Sequence, residues 1–137
     1  MKVLVDTAIW SLALRRRNGA GNEATVAELA SLVQDGRVVM IGPIRQELLS
    51  GIRERAQFER LRDHLRAFPD AEITSADHEE AASFFNRCRD KGVQGSNTDF
   101  LICAIAAQRK LAIFTTDDDF RHFAEVLPIV LHDLPRS

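Results

Sequence analysis

The stretch NTDFLICAIAAQRKLAIFTTDDDF, residues 97–120, sets a helical pattern, a strand and an acidic turn in direct succession. From Phe100 to Ala107 the chain is almost wholly apolar, and LAIFT at 111–115 is a short β-prone run ending just before Asp117, Asp118 and Asp119. A helix that feeds into a strand runs antiparallel to it. Asp99, in the first turn of a helix over 98–109, therefore lies at the same end of the layer as Asp117, just past the strand. Local capping offers a plainer reading of the three aspartates, because carboxylates beyond a strand satisfy the free N–H groups of the next helix.

The same alternation extends outward along the chain. KVLV at 2–5, RVVMI at 37–41, a weaker AEIT at 71–74 and PIVL at 128–131 are further candidate strands. Between them, 22–34 shows Val26, Leu29, Ala30 and Val33 at helical spacing, 43–51 begins with proline and stops at glycine, and 55–67 and 76–91 read similarly. This order predicts an α/β three-layer sandwich, with a mostly parallel central sheet of about five strands flanked by helices. No internal repeat or phosphate-binding glycine loop is present, and NGAGN at 18–22 and KGVQGSN at 91–97 read as loops.

In a parallel sheet, ligands bind beyond the carboxyl ends of the strands. Asp6 follows KVLV and Asp117 follows LAIFT, while Glu47 sits early in the helix after RVVMI and points back over the same edge. With Asp99, four chain segments deliver a carboxylate each to one rim. Singly, each has a dull explanation: a cap for Asp6, a helix-dipole partner for Asp99, a solvated position for Glu47. Together, at separations of about 7 Å, they would repel by roughly 2 kcal/mol per pair at an effective dielectric near 20. A cation is the natural offset. His64, His78, His122 and His132 are scattered, so the donors are all oxygen, which favours Mg²⁺ or Mn²⁺ and the metal-assisted hydrolysis of a phosphoester.

Composition narrows the classes without choosing among them. The chain has 137 residues, 45% of them hydrophobic, enough for one domain with its own core, and a formal charge of −2 announces neither nucleic acid nor disorder. Cys88 and Cys103 have no metal or redox spacing and read as reduced and buried. The N-terminal MKVLVDTAIW is too short and too acidic for a signal peptide, and no apolar run approaches a membrane span, so a soluble cytoplasmic protein is the default expectation.

Four segments, VLVDTAIW, IGPIRQELLSG, NTDFLICAIAAQRK and LAIFTTDDDF, taken in order over essentially the whole chain, resemble the PIN-domain ribonucleases, in particular the VapC-like toxins of toxin–antitoxin modules. The resemblance implies a single PIN-like domain over 1–137 and a Mg²⁺-dependent endoribonuclease, with Mn²⁺ as a substitute ion. The family's acidic positions fall on Asp6, Glu47, Asp99 and Asp117. Asp6 and Asp99 would be the core ligands, Asp117 and Glu47 would complete the pocket directly or through waters, and Asp119 would support a second ion. Thr7 and Thr115 match hydroxyl positions that help hold the ligands. The family further implies an RNA substrate, inhibition by a cognate VapB-like antitoxin, and a homodimer that builds a heterotetramer or larger assembly with it.

Arg15, Arg16, Arg53 and Lys91 are the candidate contacts to RNA phosphates, against the plainer reading of a solvated helix face. Trp10 and Phe100 are candidates for stacking on bases, although a core role is favoured for both. A phosphatase using an Asp nucleophile would want a second Asp two residues after Asp6, where Ala8 stands. A receiver domain would want an acceptor Asp after a central strand, which RVVMIGP lacks. The remaining alternative is a catalytically degenerate PIN domain that binds RNA or protein.

Overall fold

The computed structural model describes residues 1–14 and 21–135. Val3–Val5 (β1) leads into Thr7–Leu14 (α1) and Glu23–Gln34 (α2), which return to Val38–Val39 (β2). Gly42–Leu49 (α3), Arg55–Leu65 (α4), Ser75–Asp90 (α5) and Asn97–Arg109 (α6) then precede Ala112–Phe114 (β3), Asp119–Val126 (α7) and Val130–Leu131 (β4). The strands form one parallel sheet in the order β2-β1-β3-β4, with Val3 opposite both Val38 and Ala112, and Val5 opposite Phe114.

Successive strand side chains point to opposite faces. Every residue of β1 and β3 is nevertheless buried, none more than 4% exposed. Helices therefore cover both faces of the sheet, the three-layer arrangement expected of near-continuous apolar strands. The most deeply buried helix is α6, in which Phe100 through Ala106 are all buried. A helix that is hydrophobic all round belongs between layers, and α6 packs on both α5 and β3. Lys110 ends it in the left-handed conformation (φ 55°), and the Leu111 N–H returns to the Ala106 carbonyl at 2.9 Å, turning the chain directly into β3.

The sheet has four strands, and the expected strand at 71–74 does not form. That segment makes an isolated parallel bridge, Met40 to Asp70, with the Ala71 N–H donating to the Met40 carbonyl at 2.8 Å. Side chains take the backbone groups that a ladder would have used. The Glu72 carbonyl accepts from Arg109 Nη2 at 2.6 Å, and the Thr74 N–H donates to Asp77 Oδ2 at 2.8 Å as half of a capping box that starts α5. Arg45 similarly binds the Leu65 and Phe68 carbonyls and the Asp70 carboxylate, fixing the chain after α4 against α3.

Asp77 and Arg109 make a two-pronged ion pair between α5 and α6. Both guanidinium Nη atoms lie 2.8 Å from the carboxylate oxygens, and Asp77 is fully buried. These bonds hold the Asp77 carboxyl at a pKa of about 2. Because the folded-state value lies below the unfolded one, the stabilisation is present above about pH 4 and is lost as pH falls toward 2. Asp77→Ala should cost about 3 kcal/mol at pH 7, since Arg109 loses its partner. Chemical denaturation at pH 7 and again near pH 3 should show a gap between wild type and variant that narrows at the lower pH.

Candidate functional site

Asp6 continues β1 by one residue, its N–H donating to the Phe114 carbonyl at 2.9 Å, while its own carbonyl receives the Ile9 and Trp10 N–H groups that open α1. Asp6 as a whole is 9% exposed. Oδ1 accepts the Thr7 N–H and Oδ2 accepts the Thr115 hydroxyl, both at 2.8 Å. Thr115 Oγ1 in turn accepts the Asp117 N–H at 3.0 Å, so one hydroxyl joins the ends of β1 and β3. Thr7 contributes through its backbone. Its side-chain hydroxyl is buried without a partner among the described residues.

Asp99 reaches the same rim from the first turn of α6. Its Oδ2 accepts the Ser96 N–H at 3.2 Å and its N–H donates to Ser96 Oγ at 3.1 Å, closing a capping box. The approach to this cap is tight, because a Cβ on Gly95 would fall 2.5 Å from the Phe123 ring and about 3 Å from that of Phe100. Ser96 and Gly95 were not singled out in the sequence, where KGVQGSN read as loop. The S-x-x-D spacing was the available signal for Ser96, whereas the ring contact at Gly95 leaves none.

Glu47 lies on α3 and is the more exposed of these acids together with Asp117. Desolvation raises the pKa of Asp6, Asp99 and Glu47, and the carboxylates raise one another: Asp99 and Asp117 act on Asp6, Asp6 and Asp99 on Glu47, and Asp117 and Asp119 on Asp99. The hydrogen bonds from Thr115 and Thr7, and from Ser96, pull Asp6 and Asp99 partly back. Among the described residues none of these acids forms an ion pair with Arg, Lys or His.

The structure thus brings Asp6, Glu47, Asp99, Asp117 and Asp119 within electrostatic reach. Among the described residues, no three His, Cys, Asp or Glu side chains form a ready-made ligand cage. An all-oxygen, mutually repelling set without a countercharge among the described residues fits a hard divalent cation bound partly through its own waters. Beside it, a cavity of about 440 Å³ is lined by Thr7, Ser11, Gln46, Glu47, Ser50 and Thr98.

Asp118 stands at the start of α7 and makes no side-chain cap, a duty taken by the Asp117 carboxylate, which accepts the Asp119 N–H at 2.9 Å. Of the basic candidates, Arg53 is exposed between α3 and α4, Lys91 is exposed at the end of α5, and Arg15 and Arg16 lie outside the described residues. Trp10 and Phe100 are 2% and 1% exposed, which removes them as stacking surfaces. Both cysteines are free and buried, as expected.

A parallel α/β sandwich with acids gathered beyond its strand ends defines the class of protein. The PIN domain family model matches residues 3–126, and the chain belongs to that family. No curated protein sequence matches it. Among solved structures, FitAcB from Neisseria gonorrhoeae is similar with a TM-score of 0.76 and 22% identity, over 95% of this chain and 96% of that one. VapBC2 from Rickettsia felis, bound to a DNA fragment from their promoter, gives 0.77 and 16% over 98% and 100% of the two chains. A toxin–antitoxin complex from Klebsiella pneumoniae gives 0.64 and 19% over 87% and 90%. Among the described residues no helix is long and apolar enough to cross a membrane.

A carboxyl whose folded pKa is raised binds protons more readily when folded, so it disfavours the fold increasingly as pH climbs from about 4 through the folded value. Asp6→Asn should therefore stabilise the protein by about 1 kcal/mol at pH 7 in EDTA. Thermal unfolding in EDTA checks the sign, and a lower melting temperature for the variant contradicts it.

Proposed function

We propose that this chain is a divalent-metal-dependent endoribonuclease, the toxin of a VapBC-type module, acting in the cytoplasm as a single PIN-like domain over 1–137. The observation that carries the reading is the convergence of Asp6, Glu47, Asp99 and Asp117, from four separate segments, without a cationic partner among the described residues. Membership of the PIN family supports it, as does the likeness to the Klebsiella pneumoniae toxin–antitoxin complex.

Asp6 and Asp99 would hold Mg²⁺ or Mn²⁺, with Asp117 completing the set and Asp119 at its outer side. When bound, the ion supplies positive charge against the phosphate oxygens and lowers the pKa of a coordinated water. Thr115 keeps Asp6 and the Asp117 backbone in register, and Ser96 holds Asp99 at the start of α6. Glu47, more exposed than Asp6 and Asp99, would orient the attacking water and accept its proton at a carboxylate oxygen. A cognate VapB-like antitoxin would block this rim. The free toxin would be a homodimer, and the blocked form a heterotetramer or larger assembly with antitoxin. Arg53 and Lys91 are available to RNA phosphates at its margin, with Arg15 and Arg16 added from the sequence.

The second reading, a PIN domain that binds RNA or protein without cutting, is favoured by the lack of a ready-made ligand cage among the described residues. Purified protein should cleave RNA in Mg²⁺ or Mn²⁺, EDTA should stop it, and Asp99→Asn should reduce the rate by at least about 100-fold while keeping the fold. Equal cleavage by wild type and Asp99→Asn would remove the catalytic reading. Induced expression in growing cells separates the two readings: arrest by wild type alone marks the toxin, and no effect from either folded form marks the binding module.

A further inference from the structure

The cavity beside Glu47 is bounded on its α6 side by Thr98, and Thr98 also lines a second cavity of about 430 Å³ between α5 and α6. The second is walled by His78, Ala82, Phe85, Asn86, Asn97 and Leu101. A third, of about 330 Å³, shares Phe85 and runs on to Arg89 and Gly95. The three cavities adjoin through shared walls, first Thr98 and then Phe85, and this line of depressions, a trough in outline, passes from Glu47 across the start of α6. Helices α5 and α6 are joined by a short turn over 91–96 and pack antiparallel. Phe85 therefore lies about 7 Å from the end of α5 at the helical rise, level with the first turn of α6 that carries Asp99.

Phe85 is 37% exposed, whereas Trp10 and Phe100 are buried. Its ring is steadied edge-on by Phe100, with centroids 5.5 Å apart at 74°, so the exposed face is held in place without a ligand. Beyond Glu47 no carboxylate among the described residues lines the trough: its walls offer the amides of Asn86 and Asn97 and, at the far end, Arg89, which is only loosely paired with Asp90 at 3.6 Å. One aromatic face, neutral amides at its edge and a cation beyond it match an unpaired nucleotide. A single exposed ring is far less apolar area than a stable self-association buries.

We infer that the trough is a subsite for single-stranded RNA in which one base stacks on Phe85, the Asn86 and Asn97 amides face its edge, and Arg89 meets a neighbouring phosphate. This rests on the ribonuclease reading and adds to it the requirement for an unpaired base at a fixed distance from the cut.

The test is fluorescence anisotropy of labelled single-stranded RNA, with Ca²⁺ in place of Mg²⁺, using a set of strands each carrying one abasic position. Phe85→Ala should weaken binding of the intact strand about tenfold or more, and Phe85→Trp should restore it. At one position of the set, the abasic strand should bind wild type as weakly as Phe85→Ala binds the intact strand, with no further loss when the two changes are combined. Unchanged affinity in Phe85→Ala and in Phe85→Leu, which retains the packing against Phe100, overturns the inference. A changed oligomeric state with unchanged RNA affinity also overturns it and assigns Phe85 to a protein contact. The binding arms need no cleavage. A wild type that binds in this pattern but cuts no RNA defeats the nuclease reading alone, and one that cuts RNA with Phe85 indifferent defeats only the platform.

Discussion

The bond from the Thr115 hydroxyl to the Asp6 carboxylate ties the ends of two neighbouring parallel strands, and the rest of the rim takes its position from it. It depends on register. With Val5 opposite Phe114, the next residues outward are Asp6 and Thr115; a slip of one residue would turn one strand's side chains to the opposite face and part this pair. Val3, Leu4, Val5, Ala112, Ile113 and Phe114 are all buried in a close-packed core, so a slip would put side chains of the wrong size into each packing site. The apolar core thus fixes where a polar contact forms, and that contact fixes where charge is concentrated.

Local capping and a shared acidic rim proved to be compatible explanations of the same residues. Asp99 closes a capping box with Ser96 and still carries a pKa raised by desolvation and by Asp117 and Asp119. Asp117 accepts the Asp119 N–H and still acts on Asp6. A cap uses part of a carboxylate's hydrogen-bonding capacity and leaves its charge in place, so the helix start that positions the acid does not neutralise it.

Much of this was legible in the sequence because it follows from alternation and direction. Apolar runs separated by helical patterns gave the parallel sandwich, and the rule that a helix feeding a strand starts at that strand's carboxyl end placed Asp99 beside Asp117. What escaped depends on contacts between distant segments. The run at 71–74 has strand-like residues, yet Arg109 and Asp77, from α6 and α5, take the backbone groups that would have joined it to β2. Gly95 is required by the Phe123 ring, and the exposure of Phe85 follows from how α5 lies on α6. No spacing encodes either.

Asp6 and Asp77 are both buried aspartates, and the fold treats them in opposite ways. Asp77 meets a guanidinium that matches its two oxygens, and its pKa falls; it locks α5 to α6 and has no charge left to offer. Asp6 meets a hydroxyl and one N–H, and its pKa rises because burial and neighbouring acids outweigh those bonds. An arginine fork was evidently within the chain's means, as Arg109 demonstrates. Its absence at the rim among the described residues, beside acids that destabilise one another, is a cost in stability that a structural role would not explain. A bound cation would remove it, which is why the proposed chemistry is assigned to Asp6 and its neighbours and not to the better-satisfied Asp77.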